Sequence, residues 1–289
     1  VTFIGLGKMG LPMARRLQEA GFSPVGCDLS GEALAAFREA GGWASADLAE
    51  AVDGAEIVIT MLPDGAAVRS VLVGECGVAG RMAPGGLVID MSSSEPQGTR
   101  ELESALADLG LSLLDAPVSG GVKKAVDGSL AIMAGGSPET LERARPLLEA
   151  MGSKIFLAGP IGAGHAMKAL NNYVSSAGLA ALCEALVIAR EFGIEPGDAV
   201  DILNASTGRN NSTENKAKPY ILSGSFDSGF ALSLMAKDIG IAEGLSHSLG
   251  LSAPLLSVSK KLWASASEEL GPRADHTEYF RFAESRQED

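Results

Sequence analysis

Three glycines near the amino terminus constrain this chain more than any other feature. Val1 to Ile4 is a β-branched and aromatic run, and Gly5-Leu6-Gly7-Lys8-Met9-Gly10 follows it directly. Leu11 to Ala20 then reads as a helix that stops at Gly21. In such a strand–turn–helix, the first glycine permits a tight turn and the second lets another group approach the backbone. The third lets the helix pack close to the strand. Amides at the start of the helix favour an anion such as a pyrophosphate. The glycine pattern alone is a weak signal, and this context is what strengthens it.

A second short strand, Pro24 to Cys27, ends at Asp28. It lies roughly 20 residues beyond the glycines, where a dinucleotide site needs an acid. A carboxylate there accepts hydrogen bonds from ribose hydroxyls and repels a 2′-phosphate, so NAD is expected over NADP. Gly5, Leu6, Gly7, Lys8, Met9, Gly10 and Asp28 are therefore expected cofactor contacts. A ligand-free glycine turn beside a surface Asp is the plain alternative.

The pattern then repeats. Ser30 caps a helix to about Ala40, and Ile57–Met61, Leu87–Asp90, Leu111–Asp115 and Ala131–Ala134 read as further strands. Alternating strands and helices imply an α/β class with a doubly wound parallel sheet of Rossmann type over residues 1–160. After Pro160 the character changes. His165 to Phe192 is a long Ala/Leu-rich stretch, and Asp198–Asn204, Gly229–Ser248 and Pro254–Glu268 also read as helices. An all-α domain over 161–289, opened by a long inter-domain helix, is expected. At 289 residues and 46% hydrophobic content, the chain can fill two cores.

Charge and cysteines exclude some classes of function. The net charge is −13 with no basic run, which disfavours nucleic acid but leaves room for a small anionic substrate in a local positive pocket. Cys27, Cys76 and Cys183 are odd in number and far apart, as reduced thiols of a cytoplasmic protein would be. His165, His247 and His276 are scattered, so no metal site is expected. The start lacks the pattern of a signal peptide, and no window reads as the ~18 apolar residues that a membrane helix needs.

Four segments narrow the reading. Phe3-Ile-Gly-Leu-Gly-Lys-Met-Gly-Leu-Pro-Met-Ala14, Asp115-Ala-Pro-Val-Ser-Gly-Gly121, Gly164-His-Ala-Met-Lys-Ala-Leu-Asn-Asn172 and Leu234-Met-Ala-Lys-Asp-Ile239 occur in this order and span most of the chain. Together they resemble the motifs of the β-hydroxyacid dehydrogenases, the family of 3-hydroxyisobutyrate dehydrogenases and tartronate semialdehyde reductases. The resemblance implies NAD-dependent oxidation of a small 3-hydroxy acid to its aldehyde acid, or the reverse, in a cleft between two domains of a homodimer or homotetramer. It implies Lys168 as the catalytic lysine, with Asn172 beside it. Ser119, Gly120 and Gly121 would hold the substrate carboxylate. Leu62, Pro63 and Ser93 would line the cofactor, and Lys237 would approach its nicotinamide end.

These residue types suit the chemistry. Hydride loss from an alcohol requires removal of its proton, and a lysine near the oxygen can take it. Asn172 lies one helical turn beyond Lys168, on the same face. A serine hydroxyl and glycine amides bind a carboxylate without adding charge. Structural alternatives stay open for Lys237, as half of a helix-face Lys–Asp pair, for Asn171, as a packing amide, and for Ser92-Ser93-Ser94, as a loop and cap.

One segment departs from the family. Many members carry a tryptophan near Ser206–Asn215, where this chain has Arg209, Asn210, Asn211, Ser212 and Thr213. Arg209 and Asn211 would suit extra hydroxyls or a second anion, as in tartronate semialdehyde or sulfolactaldehyde. A solvated surface loop is the other reading. Two rival functions share the scaffold: an imine reductase, whose kind generally replaces the lysine, and a non-catalytic NAD-binding module. The decarboxylating 6-phosphogluconate dehydrogenases share the pattern too. They usually carry a histidine–asparagine pair after the lysine, where this chain has Ala169, Leu170 and Asn171.

Overall fold

The computed structural model describes residues 1–286 and divides into two compact units, Val1–Lys168 and the chain from Ala169 onward. The first unit is built on one sheet. Its strands are β1 (Thr2–Ile4), β2 (Val25–Cys27), β3 (Trp43–Ser45), β4 (Ile57–Thr60), β5 (Leu87–Asp90), β6 (Ser112–Asp115), β7 (Val118–Ser119), β8 (Leu130–Gly135) and β9 (Gly152–Gly159). They run in the order β3-β2-β1-β4-β5-β6-β8-β7, with β9 paired to β8. From β3 to β6 every pairing is parallel, as in a Rossmann-type sheet. β8 runs antiparallel to β6 and β7, so the sheet is mixed at that end rather than parallel throughout.

Alternation along the strands explains the two cores of this unit. Phe3, Ile59, Ile89 and Leu114 point to one face and join Met13, Leu17 and Leu148. Their chain neighbours Ile4, Val58, Val88 and Leu113 point to the other and join Val68, Leu72 and Leu106. A strand buried on both faces needs apolar residues at successive positions, which is why these strands read as continuous runs.

Local signals set the helix ends. Ser30 caps the helix Gly31–Glu39 by accepting the Ala33 amide, and Asp47 caps Leu48–Val52. Strand β9 escapes the sequence reading because most of it is exposed, including Phe156 and Leu157.

The helix Ala163–Phe192 begins in the first unit, and most of its turns belong to the second. One correction concerns this helix. By length and composition it is apolar enough to cross a membrane, with an 18-residue window of mean hydropathy 1.4, 39% of it buried within the protein. The expectation that no window reaches this measure fails. Many moderately apolar Ala residues raise the average without forming one unbroken apolar run.

The second unit is helical, with Pro196–Ala205, Leu232–Ser248 and Pro254–Leu270 as its main further elements. Leu179, Leu182, Cys183 and Leu186 of the long helix pack with Met235, Ile239, Trp263 and Tyr279. The Trp263 and Tyr279 rings stack at 4.6 Å between centroids.

Candidate active site

Parallel pairing brings the expected cofactor contacts of the first unit to one edge of the sheet. The carboxyl ends of β1, β2, β4 and β5 lead into Gly5, Asp28, Leu62 and Ser93 respectively. Ligands of open α/β sheets bind at that edge. Gly5 has φ +97°, and a Cβ there would collide with the Met61 backbone, so only glycine fits. A Cβ on Gly10 would strike the Gly5 carbonyl, which explains the close helix packing. Above Gly7 nothing lies within 4 Å. The turn therefore leaves open space over its backbone beside a helix start, as a pyrophosphate requires.

Asp28 does two jobs within the protein. Its Oδ2 accepts the Leu6 amide at 2.6 Å and its Oδ1 accepts the Ser30 amide at 2.7 Å. The carboxylate thus ties the glycine turn to the end of β2 while remaining partly exposed. A neighbouring serine performs a similar tie at β4. Ser92 Oγ accepts the Leu62 amide at 2.9 Å, and Asp90 accepts from Thr60, Ser92 and Ser94. The sequence points to Ser93 as a cofactor contact and to Ser92-Ser93-Ser94 as a loop and cap; Asp90, which holds Ser92 and Ser94, is not singled out by it. A strand ending in an acid followed by serines was the available signal.

The Ser119-Gly120-Gly121 turn begins at the last residue of β7 in the same unit. Gly120 and Gly121 have φ +134° and +67°, and the Lys124 stem lies over Gly120, so side chains are excluded there. Ser119 is partly buried, and both glycines are exposed.

Lys168 and Asn172 are both buried on the long helix, one turn apart. Asn172 donates from Nδ2 to Asp238 Oδ2 at 2.6 Å, and Asn171 donates to Asn172 Oδ1 at 3.1 Å. Asp238 is itself buried, with Lys237 Nζ 3.8 Å from its Oδ1. Asp238 is a residue the sequence reading passed over as half of a helix-face pair. Its partner is 66 positions away, and spacing cannot reveal such a contact.

The polar segment Ser206–Asn215 takes a definite shape. Asn210 caps the helix Asn211–Asn215 through a capping box with Thr213. Arg209 pairs with Glu214 at 2.6 Å and keeps 62% of its side chain exposed, and Asn211 is exposed as well. Among the described residues no group of three or more His, Cys, Asp and Glu side chains is placed to hold a metal ion.

A Rossmann-type sheet with an open glycine turn at its carboxyl edge, and an acid closing the second strand, defines a dinucleotide-binding protein. Comparison with known proteins narrows the class. Residues 1–159 match the family model of the NAD binding domain of 6-phosphogluconate dehydrogenase, and residues 162–283 match that of the NAD-binding domain of NADP-dependent 3-hydroxyisobutyrate dehydrogenase. The chain is 38% identical to an NAD-dependent L-serine dehydrogenase of Pseudomonas aeruginosa over 91% of this chain and 90% of that protein. It is 36% identical to a 3-sulfolactaldehyde reductase of Escherichia coli over 92% and 89%. A solved structure of 3-hydroxyisobutyrate dehydrogenase from Mycobacterium tuberculosis with L-serine superposes with a TM-score of 0.90 at 35% identity, covering 97% of each chain. The chain belongs to the β-hydroxyacid dehydrogenase family, and it is an oxidoreductase with an NAD(P)-binding domain.

Proposed function

We propose that this protein interconverts a small 3-hydroxy acid and its aldehyde acid, with NAD as the cofactor and Lys168 as the proton-transfer residue. The observation that carries the reading is the buried pair Lys168 and Asn172, one helical turn apart, with Asn172 gripped by Asp238. A buried amine beside an oriented amide suits a reacting oxygen better than a surface lysine would.

In this account Gly5, Leu6, Gly7, Lys8, Met9 and Gly10 hold the pyrophosphate, and Asp28 takes the adenosine ribose. Leu62, Pro63 and Ser93 line the dinucleotide farther along the sheet edge. When bound, the nicotinamide supplies the hydride acceptor or donor. Lys168 takes the hydroxyl proton as the carbon gives up its hydride, and in the reverse direction returns a proton to the developing alkoxide. Asn172 orients the lysine or the substrate oxygen through its amide. Ser119 and the Gly120 and Gly121 amides hold the carboxylate. Lys237 keeps the role that the resemblance implies, near the nicotinamide end.

NAD is favoured over NADP because Asp28 presents a carboxylate where a 2′-phosphate would lie, and Leu29 and Ser30 follow it with no cation. The P. aeruginosa relative named as NAD-dependent agrees with this choice. A hydroxyisobutyrate-, serine- or sulfolactaldehyde-like acid is the expected substrate class, as the names of the relatives suggest. The proposal extends to a cytoplasmic homodimer or homotetramer. Exposed Val174, Ile188 and Phe192 on the long helix and buried free Cys27 and Cys183 support it. Light scattering on the purified chain checks the assembly.

The testing experiment follows absorbance at 340 nm with NAD or NADH and a panel of these acids and aldehydes. Turnover of one of them, with NAD strongly preferred, is the expected result. NAD binding without turnover on any member would favour a non-catalytic module.

A further inference from the structure

Under the first turn of the helix that carries Lys168 lies a buried polar cluster with no part in the chemistry proposed above. Asp115, the last residue of β6, has no exposed surface. Its Oδ1 accepts the Gly162 amide at 2.7 Å and its Oδ2 accepts the His165 amide at 2.9 Å. Amides at a helix start have no intrahelical acceptor, and a carboxylate is favoured there by the helix dipole. Two glycines make the approach possible. A Cβ on Gly135 would come 2.5 Å from Asp115 Oδ1, and one on Gly164 would come 2.7 Å from its Oδ2. The ends of β6 and β8 and the start of the helix thus close around one carboxylate with no spare room.

His165 extends the cluster. Its side chain is fully buried, with Nδ1 2.8 Å from Thr99 Oγ1. The Thr99 hydroxyl also reaches the Glu95 carbonyl at 3.0 Å. Nε2 has no hydrogen-bond partner among the described residues and lies 3.6 Å from Asp90 Oδ2, while Nδ1 lies 3.9 Å from Asp115 Oδ2. Asp90 is the same carboxylate that holds Ser92 and, through it, the turn at Leu62. One imidazole therefore stands between two buried acids on neighbouring strands.

We infer that Asp115, with His165 and Thr99, is a positioning residue that fixes Lys168 relative to the Ser119-Gly120-Gly121 turn. Asp115 is four residues before Ser119, and His165 is three before Lys168. One carboxylate thus links the end of β6, just before the Ser119 turn, with the helix turn that precedes the lysine. Residues three apart on a helix share a face, about 4.5 Å along its axis. Displacing a reacting group by about 1 Å can cost on the order of 10²-fold in rate. The inference rests on the proposed role of Lys168, and the test separates the two.

Asp115→Asn replaces one acceptor oxygen by a donor, so one of the two helix amides meets an N–H. Thr99→Val removes the hydroxyl on His165 at nearly constant shape and guards against loss of folding in the first variant. Both are compared with wild type and Lys168→Ala for kcat, KM and NAD affinity, on whichever of 3-hydroxyisobutyrate, L-serine and 3-sulfolactaldehyde turns over fastest. Amide hydrogen exchange is followed over residues 160–168. Asp115→Asn should lower kcat on the order of 10²-fold and Thr99→Val about 10-fold, with KM within about 3-fold and NAD affinity within about 2-fold. Exchange at Gly162–Ala166 should speed up about 10-fold or more in Asp115→Asn. Wild-type kcat in folded Asp115→Asn or Thr99→Val, with Lys168→Ala inactive, would overturn the positioning role alone. So would a fall of kcat and NAD affinity in equal proportion. Full activity in Lys168→Ala would instead overturn the lysine assignment on which the inference stands.

Discussion

The side-chain amide of Asn172 donates to Asp238 Oδ2 at 2.6 Å, and both residues are buried. The contact fixes which way the amide points: Nδ2 is committed to the acid, so Oδ1 faces the other direction. Removing the acid would leave a buried donor without a partner, a loss of about 1–3 kcal/mol. Asp238→Ala should therefore lower kcat/KM about 10- to 100-fold. A double-mutant cycle with Asn172→Ala should show the two losses to be far from additive. Additive losses would mean that Asp238 acts elsewhere.

Asp28 joins a fold role to the cofactor role proposed for it. Because it ties the Leu6 amide to β2, its removal should loosen the glycine turn as well as the ribose contact. Asp28→Ser should weaken NAD binding about 10- to 100-fold and NADP binding less, so that the ratio of the two affinities shifts toward NADP. Fluorescence titration with the reduced cofactors measures both. An unchanged ratio would contradict the assignment.

Arg209 and Glu214 form an exposed pair at 2.6 Å. Exposed pairs contribute at most about 1 kcal/mol to stability, so Arg209→Ala should leave the melting temperature almost unmoved. If the guanidinium meets a second anionic group on the substrate, KM for 3-sulfolactaldehyde should rise about 10-fold while that for 3-hydroxyisobutyrate changes little. Equal changes for both would make this a solvated surface loop.

Lys216 sets a stability signature at alkaline pH. Burial pushes its ammonium down to about 8, against attraction from Asp275 and Cys183, and its Nζ lies 2.5 Å from His276 Nε2. The unfolded chain holds that proton up to about 10.5 while the folded chain releases it near 8. Between those values the unfolded state binds more protons, so this residue's contribution to stability rises with pH across the window and is lost again as pH falls through 8. The swing is on the order of 3 kcal/mol. Lys216→Met should flatten the dependence of denaturation midpoint on pH between about 8 and 10 relative to wild type. Parallel curves would contradict it.

Much of this protein is legible in its residues, and the parts that are not share a cause. The glycine turn, Asp28 and the strands Ile57–Thr60 and Leu87–Asp90 can be read because their signals are local: backbone turns, caps and runs buried on both faces. Helix Leu232–Ser248 is expected to begin at Gly229 but starts three residues later. Asp275, 46 and 45 positions away, takes the Gly229 and Phe230 amides and holds them out of the helix. Asp238 and Asp115 are missed in the same way. Their identities are visible, but their partners lie far along the chain. Strand β9 is illegible for the opposite reason: exposed positions such as Ser153 and Lys154 break the apolar pattern that a sheet interior imposes.

Lys168 is proposed to carry the proton in a hydride-transfer reaction on a small 3-hydroxy acid. The most direct measurement is turnover at 340 nm by wild type and Lys168→Ala with the best substrate of the panel, alongside NADH affinity of both. Wild type should turn over, the variant should lose at least about 10³-fold in kcat, and NADH affinity should stay within about 2-fold. A variant that keeps most of its kcat while binding NADH normally would contradict that role.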